Sequence, residues 1–443
     1  MSSISKSAIY TFLTQVPTQI FGIIAGIFIT RMLGTAGRGL YAIFYADISL
    51  FTTILGFSLS TAIIQFTASK RMQFEKLLGV AILFSIITIG CSLLILGIWV
   101  NLPFSEFLFP ENYESWQYLL WFALFLLITQ INTVYSSFLQ GARKFSAVNQ
   151  VLLINSVLNL LLFGSAFILN HYGYCSVELI DILYIGLLVI VINTMQWHRH
   201  YKKEFHYRFS LKLRWNLEIK EFMNFMSLGH LSNIINFFNY RLVLWIIAFY
   251  MDNAQVGIFS LAAGLSQLLN FISTPLSQVL MPFLSAESNE GRITLFIRFS
   301  RIHFSIIVIM AIFAILLAPI FIPILYGADF KPAVGAFSIL IFGIVLSCQS
   351  RIFASYFIAD NKMKTNLYAT IVGFVLTFFF NFYLIKNHGI NGASWAQTIT
   401  YTGIFLFVYI ALIKFAKISN YNLFIINRED ISYARSKFKR KPR

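Results

Sequence analysis

Residues 302–324 read IHFSIIVIMAIFAILLAPIFIPI, a run of 23 residues with one histidine and no Asp, Glu, Lys or Arg. The hydrocarbon layer of a bilayer is about 30 Å thick, and ~20 mostly apolar helical residues cross it. Working outward in both directions, the same pattern recurs at 8–30, 39–66, 77–100, 115–139, 149–169, 177–196, 222–249, 255–284, 333–358, 366–385 and 391–413. Each stretch is set off from the next by a short polar break. Twelve crossings is an even number, so both chain ends are expected on one side.

The basic residues say which side. Lys and Arg near helix ends are retained in the cytoplasm, and with the N-terminus inside, 27 of the 33 basic residues fall on the cytoplasmic face. The outer segments hold only Arg31, Arg38, Lys331 and Lys386, while Arg241 and Arg351 lie within helices. A hydrophobic content of 58%, a mean hydropathy of +0.75 and 11% charged residues exclude a soluble domain of this length. The net charge of +16 does not point to nucleic acid, because its excess sits in inside loops and in the tail Lys437–Arg443. That tail can rest on anionic lipid at ~1 kcal/mol per basic residue.

Other chemistry is sparse. Cys91, Cys175 and Cys348 lack paired spacing, so neither a disulfide framework nor a zinc site is indicated, and all three read as small apolar helix residues. His198, Arg199, His200 and His206 belong to a basic loop. The first apolar stretch is too long for a signal-peptide core and reads as a retained membrane helix. No GxxxxGK[ST], HExxH or GxSxG motif occurs, so no catalytic residues, metal or bound cofactor are expected and the protein is read as not an enzyme. Asp181, Glu106, Glu111 and Glu114 read as solvated.

The longest polar interval, about 197–221, divides the helices six and six, and the halves resemble one another. LGTAGRGLYA (33–42) faces MDNAQVGIFS (251–260), pairing Ala36 with Ala254, Gly39 with Gly257 and Tyr41 with Phe259. FLQGARKFS (138–146) faces FIADNKMKT (357–365), and HYGYCS (171–176) resembles HGINGA (388–393), with Gly173 matched to Gly389 by an offset of one position. Three matches in one order at a nearly constant shift imply parallel repeats, two bundles able to rock around a shared cleft. The expected fold is therefore an all-α polytopic membrane protein, with twelve transmembrane helices in two six-helix bundles around a central cavity. The expected domains are 1–205, 206–415 and a basic cytoplasmic tail, 416–443.

A charge at mid-bilayer costs ~2.5–3.5 kcal/mol on insertion scales, so charges inside helices face a cavity or a partner. Arg241 and Arg351 read either as cavity cations that contact an anion or as paired or snorkelling residues. Arg31, at the outer end of helix 1, and Asp47, two turns into helix 2, divide the same way. Asp47 is the candidate for ion coupling, taking up a proton if it is desolvated and acting as a structural partner if an arginine lies near. Asn233, Asn236 and Asn239, three apart, can form one polar stripe on helix 7. Amides of this kind either glue helices together or, with arginines, offer what sugar hydroxyls and phosphates need.

Three segments carry a resemblance: TRMLGTAGRGLYAIF (30–44), LYGADFKPAV (325–334) and HGINGASWA (388–396). They are similar to motifs of the polysaccharide-transporter branch of the multidrug/oligosaccharidyl-lipid/polysaccharide exporter superfamily, which includes O-antigen and capsular repeat-unit flippases. The resemblance covers essentially the whole chain. It implies a flippase of the bacterial inner membrane that moves an undecaprenyl-diphosphate-linked oligosaccharide to the outer leaflet without ATP, on a proton or sodium gradient. It also implies a polysaccharide polymerase and chain-length proteins as pathway partners. Arg31 lies within the first motif; Arg241 and Arg351 rest on membrane depth alone. Lipid II flippases carry two helices more than this chain, and drug antiporters carry buried carboxylates, of which Asp47 is nearly the sole counterpart. A cation-coupled multidrug antiporter and a membrane-embedded polymerase or glycosyltransferase remain the competing readings, although the outside segment 101–114 is short for a catalytic loop.

Overall fold

The computed structural model describes residues 3–99, 101, 115–205, 217–286, 288–360, 362–416, 423–425 and 427. Glu106, Glu111, Glu114, His206 and the tail Lys437–Arg443 lie outside them. The helices are α1 (Ser3–Ile54), α2 (Leu59–Ser69), α3 (Phe74–Trp99), α4 (Ser115–Gly141), α5 (Phe145–His171), α6 (Leu179–Glu204), α7 (Leu217–Tyr250), α8 (Asn253–Ser266), α9 (Asn270–Ala286), α10 (Asn289–Tyr326), α11 (Ala333–Ala359) and α12 (Met363–Ala416). Among the described residues there is no strand.

Among the described residues, ten helical segments are long and apolar enough to cross a membrane. Two of them hold two crossings each. At 1.5 Å per residue, the 52 residues of α1 would reach ~78 Å if straight, more than twice the hydrocarbon layer. The helix is broken at Gly34 (φ 64°, ψ −167°), and α12, with 54 residues, is broken at Gly389 (φ 59°, ψ −141°). Only glycine occupies that backbone region without strain. The protein is thus an all-helical, multi-pass membrane protein with the expected twelve spans.

Two expected helices are not continuous. The stretch 39–66 is interrupted at Leu55–Ser58, between α1 and α2, and 255–284 passes through a 3-10 turn at Gln267–Leu269. Helix 7 starts earlier than expected, at Leu217. Cys175 is not helical but lies in the turn before α6. Asp181 also completes the capping box of α6, accepting the Glu178 backbone N–H at 2.9 Å.

The chain forms two compact units, Met1–Phe237 with Asp252–Gly257, and Phe238–Met251 with Ile258–Arg443. In the first, α1 packs along α5, where Phe28 stacks on Phe167 at 5.0 Å, and α2 crosses α4 so closely that a side chain at Gly141 would meet Thr67 and the Ile64 carbonyl. Ile63, Phe66, Leu77, Phe138, Tyr201 and Phe222 belong to one of its apolar clusters. The start of α8 belongs to this unit because Gly39 and Gly257 meet backbone to backbone. In the second unit, α11 is the most buried span, enclosed by α9, α10 and α12. Its Gly343 rests against Thr398, whose hydroxyl donates to the Ile339 carbonyl at 2.9 Å. The opposite face of α10 exposes Ile309, Phe313, Leu316 and Ile320, a stripe of large apolar side chains suited to lipid rather than water.

Candidate functional site

The break in helix 2 is the most unusual local structure of the first unit. Phe57 (φ 47°) and Ser58 (φ 56°) are consecutive non-glycine residues in the left-handed region, a conformation of order 1–3 kcal/mol each that persists only when neighbours hold it. Three contacts do so. Thr88 Oγ1 on α3 donates to the Leu55 carbonyl at 2.9 Å, the His230 ring on α7 stacks on Phe57 at 4.2 Å, and Asn233 Nδ2 donates to Ser58 Oγ at 2.9 Å. The first turn of α2 therefore begins inside an apolar stretch, with an amide and an imidazole beside it. Helix N-termini leave backbone N–H groups free and carry partial positive charge, the electrostatics that suit an anion.

Asn233 thus belongs to this break. Asn236 is exposed on α7, and Asn239 is 1% exposed in the second unit. Asn239 donates to the Thr370 carbonyl at 3.2 Å and accepts from Thr377 Oγ1 at 3.4 Å, so it joins α7 to α12. The stripe of three is divided between these surroundings.

Asp47 is also 1% exposed. It lies in the first unit, where Tyr118 Oη donates to its Oδ2 at 3.2 Å and Phe44 packs edge-on against the Tyr118, Phe122 and Phe125 rings. Arg31 is exposed, three residues before the Gly34 break, and Arg38 lies 5.3 Å over the Tyr41 ring.

In the second unit Arg241 is exposed on α7, and Arg351 on α11 is half-buried, its Nε buried without a hydrogen-bond partner among the described residues. Arg292 and Lys362 of this unit are engaged. Asp360 accepts from Arg292 Nη1 at 2.8 Å and pairs with Lys362 at 2.7 Å, while Arg292 Nε donates to the Leu284 carbonyl. A recess of about 710 Å³ is lined by Lys362, Lys364, Thr365, Tyr368, Phe407 and Phe415. Elsewhere in this unit Gln349 and His303 are buried and joined by a hydrogen bond of 2.9 Å. No group of three His, Cys, Asp or Glu side chains able to hold a metal ion occurs among the described residues.

Sequence reasoning passed over His230, Ser58, Tyr118 and His303. For His303 a signal was present: it is the one ionisable residue in 302–324. Ser58 and His230 carried none, because their roles follow from a break that no proline marks.

Residues 28–335 match the profile of a family described as polysaccharide biosynthesis protein. No curated protein sequence matches the chain. Among solved structures, an inward closed lipid II flippase MurJ superposes with a TM-score of 0.71 at 15% identity, covering 91% of this chain and 87% of the other. An inward-facing multidrug resistance MATE transporter of the MOP superfamily gives 0.69 at 16%, covering 93% and 99%. A MATE transporter from Vibrio cholerae gives 0.62 at 15%, covering 94% and 99%. At such identities the likeness shows the fold.

Proposed function

Because the chain belongs to the polysaccharide biosynthesis protein family, we propose that it is a flippase for undecaprenyl-diphosphate-linked oligosaccharide repeat units. It moves them from the cytoplasmic to the outer leaflet by alternating access, for O-antigen or capsule assembly. The observation that carries this reading is the family match over residues 28–335, on a chain whose fold is shared with a lipid II flippase and with drug transporters. A role as a membrane transporter of a lipid-linked substrate is supported by the same family match and shared fold.

Arg31, Arg241, Arg351, Asn233 and Asn236 are the substrate-contacting candidates in this reading. Cations take the diphosphate, and amides the sugar hydroxyls. A polymerase and chain-length proteins act on the product, and an ion gradient, proton or sodium, drives the cycle.

Deleting the gene tests the reading. Surface polysaccharide should be lost while lipid-linked repeat units accumulate on the cytoplasmic leaflet, since synthesis continues and export stops. Repeat units found outside but unpolymerised would favour the polymerase reading. The likeness to MATE structures keeps a drug antiporter in view, and unchanged polysaccharide with lost organic-cation resistance would establish it.

The proposed placement is the bacterial inner membrane with both termini cytoplasmic, argued from the bias of basic residues. Reporter fusions after residues 72, 143, 205, 291 and 362 should read as cytoplasmic, and fusions near 172, 252 and 329 as external. Two adjacent loops reading the opposite way would overturn the orientation.

A further inference from the structure

His303 on α10 is 1% exposed and sits between two partners of the second unit. Its Nε2 is 2.9 Å from Ser273 Oγ on α9, and its Nδ1 is 2.9 Å from Gln349 Oε1 on α11. Gln349 fixes which ring nitrogen always carries hydrogen. Its amide nitrogen lies 2.7 Å from Ser300 Oγ and 3.4 Å from the Ser300 carbonyl, and a carbonyl can only accept, so the amide oxygen is the atom turned to the imidazole. That oxygen also only accepts, which places a hydrogen on Nδ1.

The other side is different. A hydroxyl both donates and accepts. With the ring neutral, Ser273 donates to Nε2; with the ring protonated, Nε2 donates to Ser273 Oγ, and the hydroxyl hydrogen can turn to the Cys348 sulfur beside it. A proton can arrive or leave here without orphaning either ring nitrogen.

The surroundings extend this arrangement across the unit. Ser300 Oγ donates to the Leu423 carbonyl at 2.9 Å. From Cys348 the chain of contacts continues to Asn270 Oδ1 at 3.5 Å, from Asn270 to Gln267 at 2.6 Å, and from Gln267 to Tyr401 Oη at 3.4 Å. One polar chain thus links α12, the 3-10 turn, α9, α11, α10 and residue 423.

Nearest in sequence to the members of this chain, α11 brings Cys348 and Arg351, α12 brings Tyr401, and α10 brings Arg298 and Arg301; farther along the same helices lie Glu290, Arg292, Tyr356, Tyr409 and the lysines of α12. The described residues 270–277 of α9 and 423–425 bring none, Asp329 follows the far end of α10, and Asp360 is engaged by Arg292 and Lys362. No carboxylate belongs to the polar chain. Among the described residues a positive charge on His303 therefore has no carboxylate within this polar chain, and burying a charge unpaired is costly. Protonation favours an arrangement that opens the ring to water, and deprotonation restores the one described here.

An ionisable side chain inside a membrane bundle marks a proton or ion path by default, and histidine is the side chain whose charge changes between pH 5 and 8. We propose that His303 is a proton-binding site whose occupancy shifts the conformational equilibrium of the second unit, making it the coupling-ion site of a gradient-driven transporter. This rests on the transporter reading and on no particular substrate.

The test uses the purified full-length protein in lipid nanodiscs without substrate. Hydrogen exchange of peptides spanning 297–306 and 345–352 is compared between pH 5.5 and 8, corrected for the intrinsic pH dependence of exchange. In the wild type, opening should be at least about tenfold more frequent at the lower pH, the factor given by a one-unit difference in proton affinity between two conformations. His303→Gln should lose that response, and Asp47→Asn should keep it. Ser273→Ala, which retains the imidazole but removes the group that changes role, should keep a response with a displaced midpoint. Thermal melts verify folding of each variant, and if His303→Gln does not fold, Ser273→Ala decides. The proposal is overturned by a wild-type response below threefold, by a full response in His303→Gln, by a response that follows Asp47 instead, or by an unmoved midpoint in Ser273→Ala. None of these outcomes depends on the deletion phenotype, so a wrong substrate and a wrong proton site are told apart.

Discussion

Alanine at Gly39 or at Gly257 removes most of the folded protein from the membrane, whereas alanine at Gly22 or Gly26 leaves its amount unchanged. A methyl group built on Gly39 collides with the Asn253 carbonyl oxygen and stands 3.0 Å from the Gly257 nitrogen. One built on Gly257 collides with the Thr35 carbonyl oxygen and stands 2.9 Å from the Gly39 nitrogen. Both obstacles are backbone, so no side chain can rotate away, and the two helices must separate. Overpacking of a closed contact costs ~1–3 kcal/mol, and more where the backbone itself must move. Gly22 and Gly26 have nothing within 4 Å of an added methyl, and alanine is the better helix former there. Detergent extraction with size-exclusion chromatography measures the monodisperse fraction. Equal fractions for all four variants would show that the contact can yield.

The second large effect concerns transport. If Arg241 and Arg351 take the anionic part of the substrate, glutamine at either position lowers flipping by roughly 10- to 150-fold, the worth of a charge-assisted hydrogen bond of about 1.5–3 kcal/mol. Lysine restores only part, since it keeps the charge but lacks the planar fork that grips two phosphate oxygens. The half-buried Arg351, whose Nε has no partner among the described residues, is expected to give the larger loss of the two. The readout is surface polysaccharide per cell, normalised to membrane-inserted protein. Normal polysaccharide with glutamine at both positions assigns the arginines to the lipid interface or to helix packing.

The twelve spans were legible because a twenty-residue apolar run has one physical solution in this solvent. Glycines matched between the two halves hold positions where glycine is required. Gly173 and Gly389, matched within one position by sequence alone, both take positive φ, at 75° and 59°. Gly39 and Gly257, paired in the same way, prove to be in contact. The break at Leu55–Ser58 was not legible. A phenylalanine and a serine hold a left-handed backbone there only because Thr88, His230 and Asn233 arrive from helices 33 to 175 residues away. His303 itself stood out as the one ionisable residue of its apolar run, but its partners were hidden by the same distance, since they lie 30 and 46 residues off. Depth along a helix could be read for the arginines, but the direction in which a side chain points depends on neighbours that one sequence does not reveal.

The glycine breaks in α1 and α12 also bear on how the chain is made. At Gly34 and Gly389 the described backbone passes from one crossing to the next with a single residue out of helical geometry and no intervening loop. A ribosome delivering these segments leaves the insertion machinery no polar loop between the two crossings of either pair. Tags, protease sites and glycan acceptors placed at either bend have no loop to occupy and interrupt a helix instead.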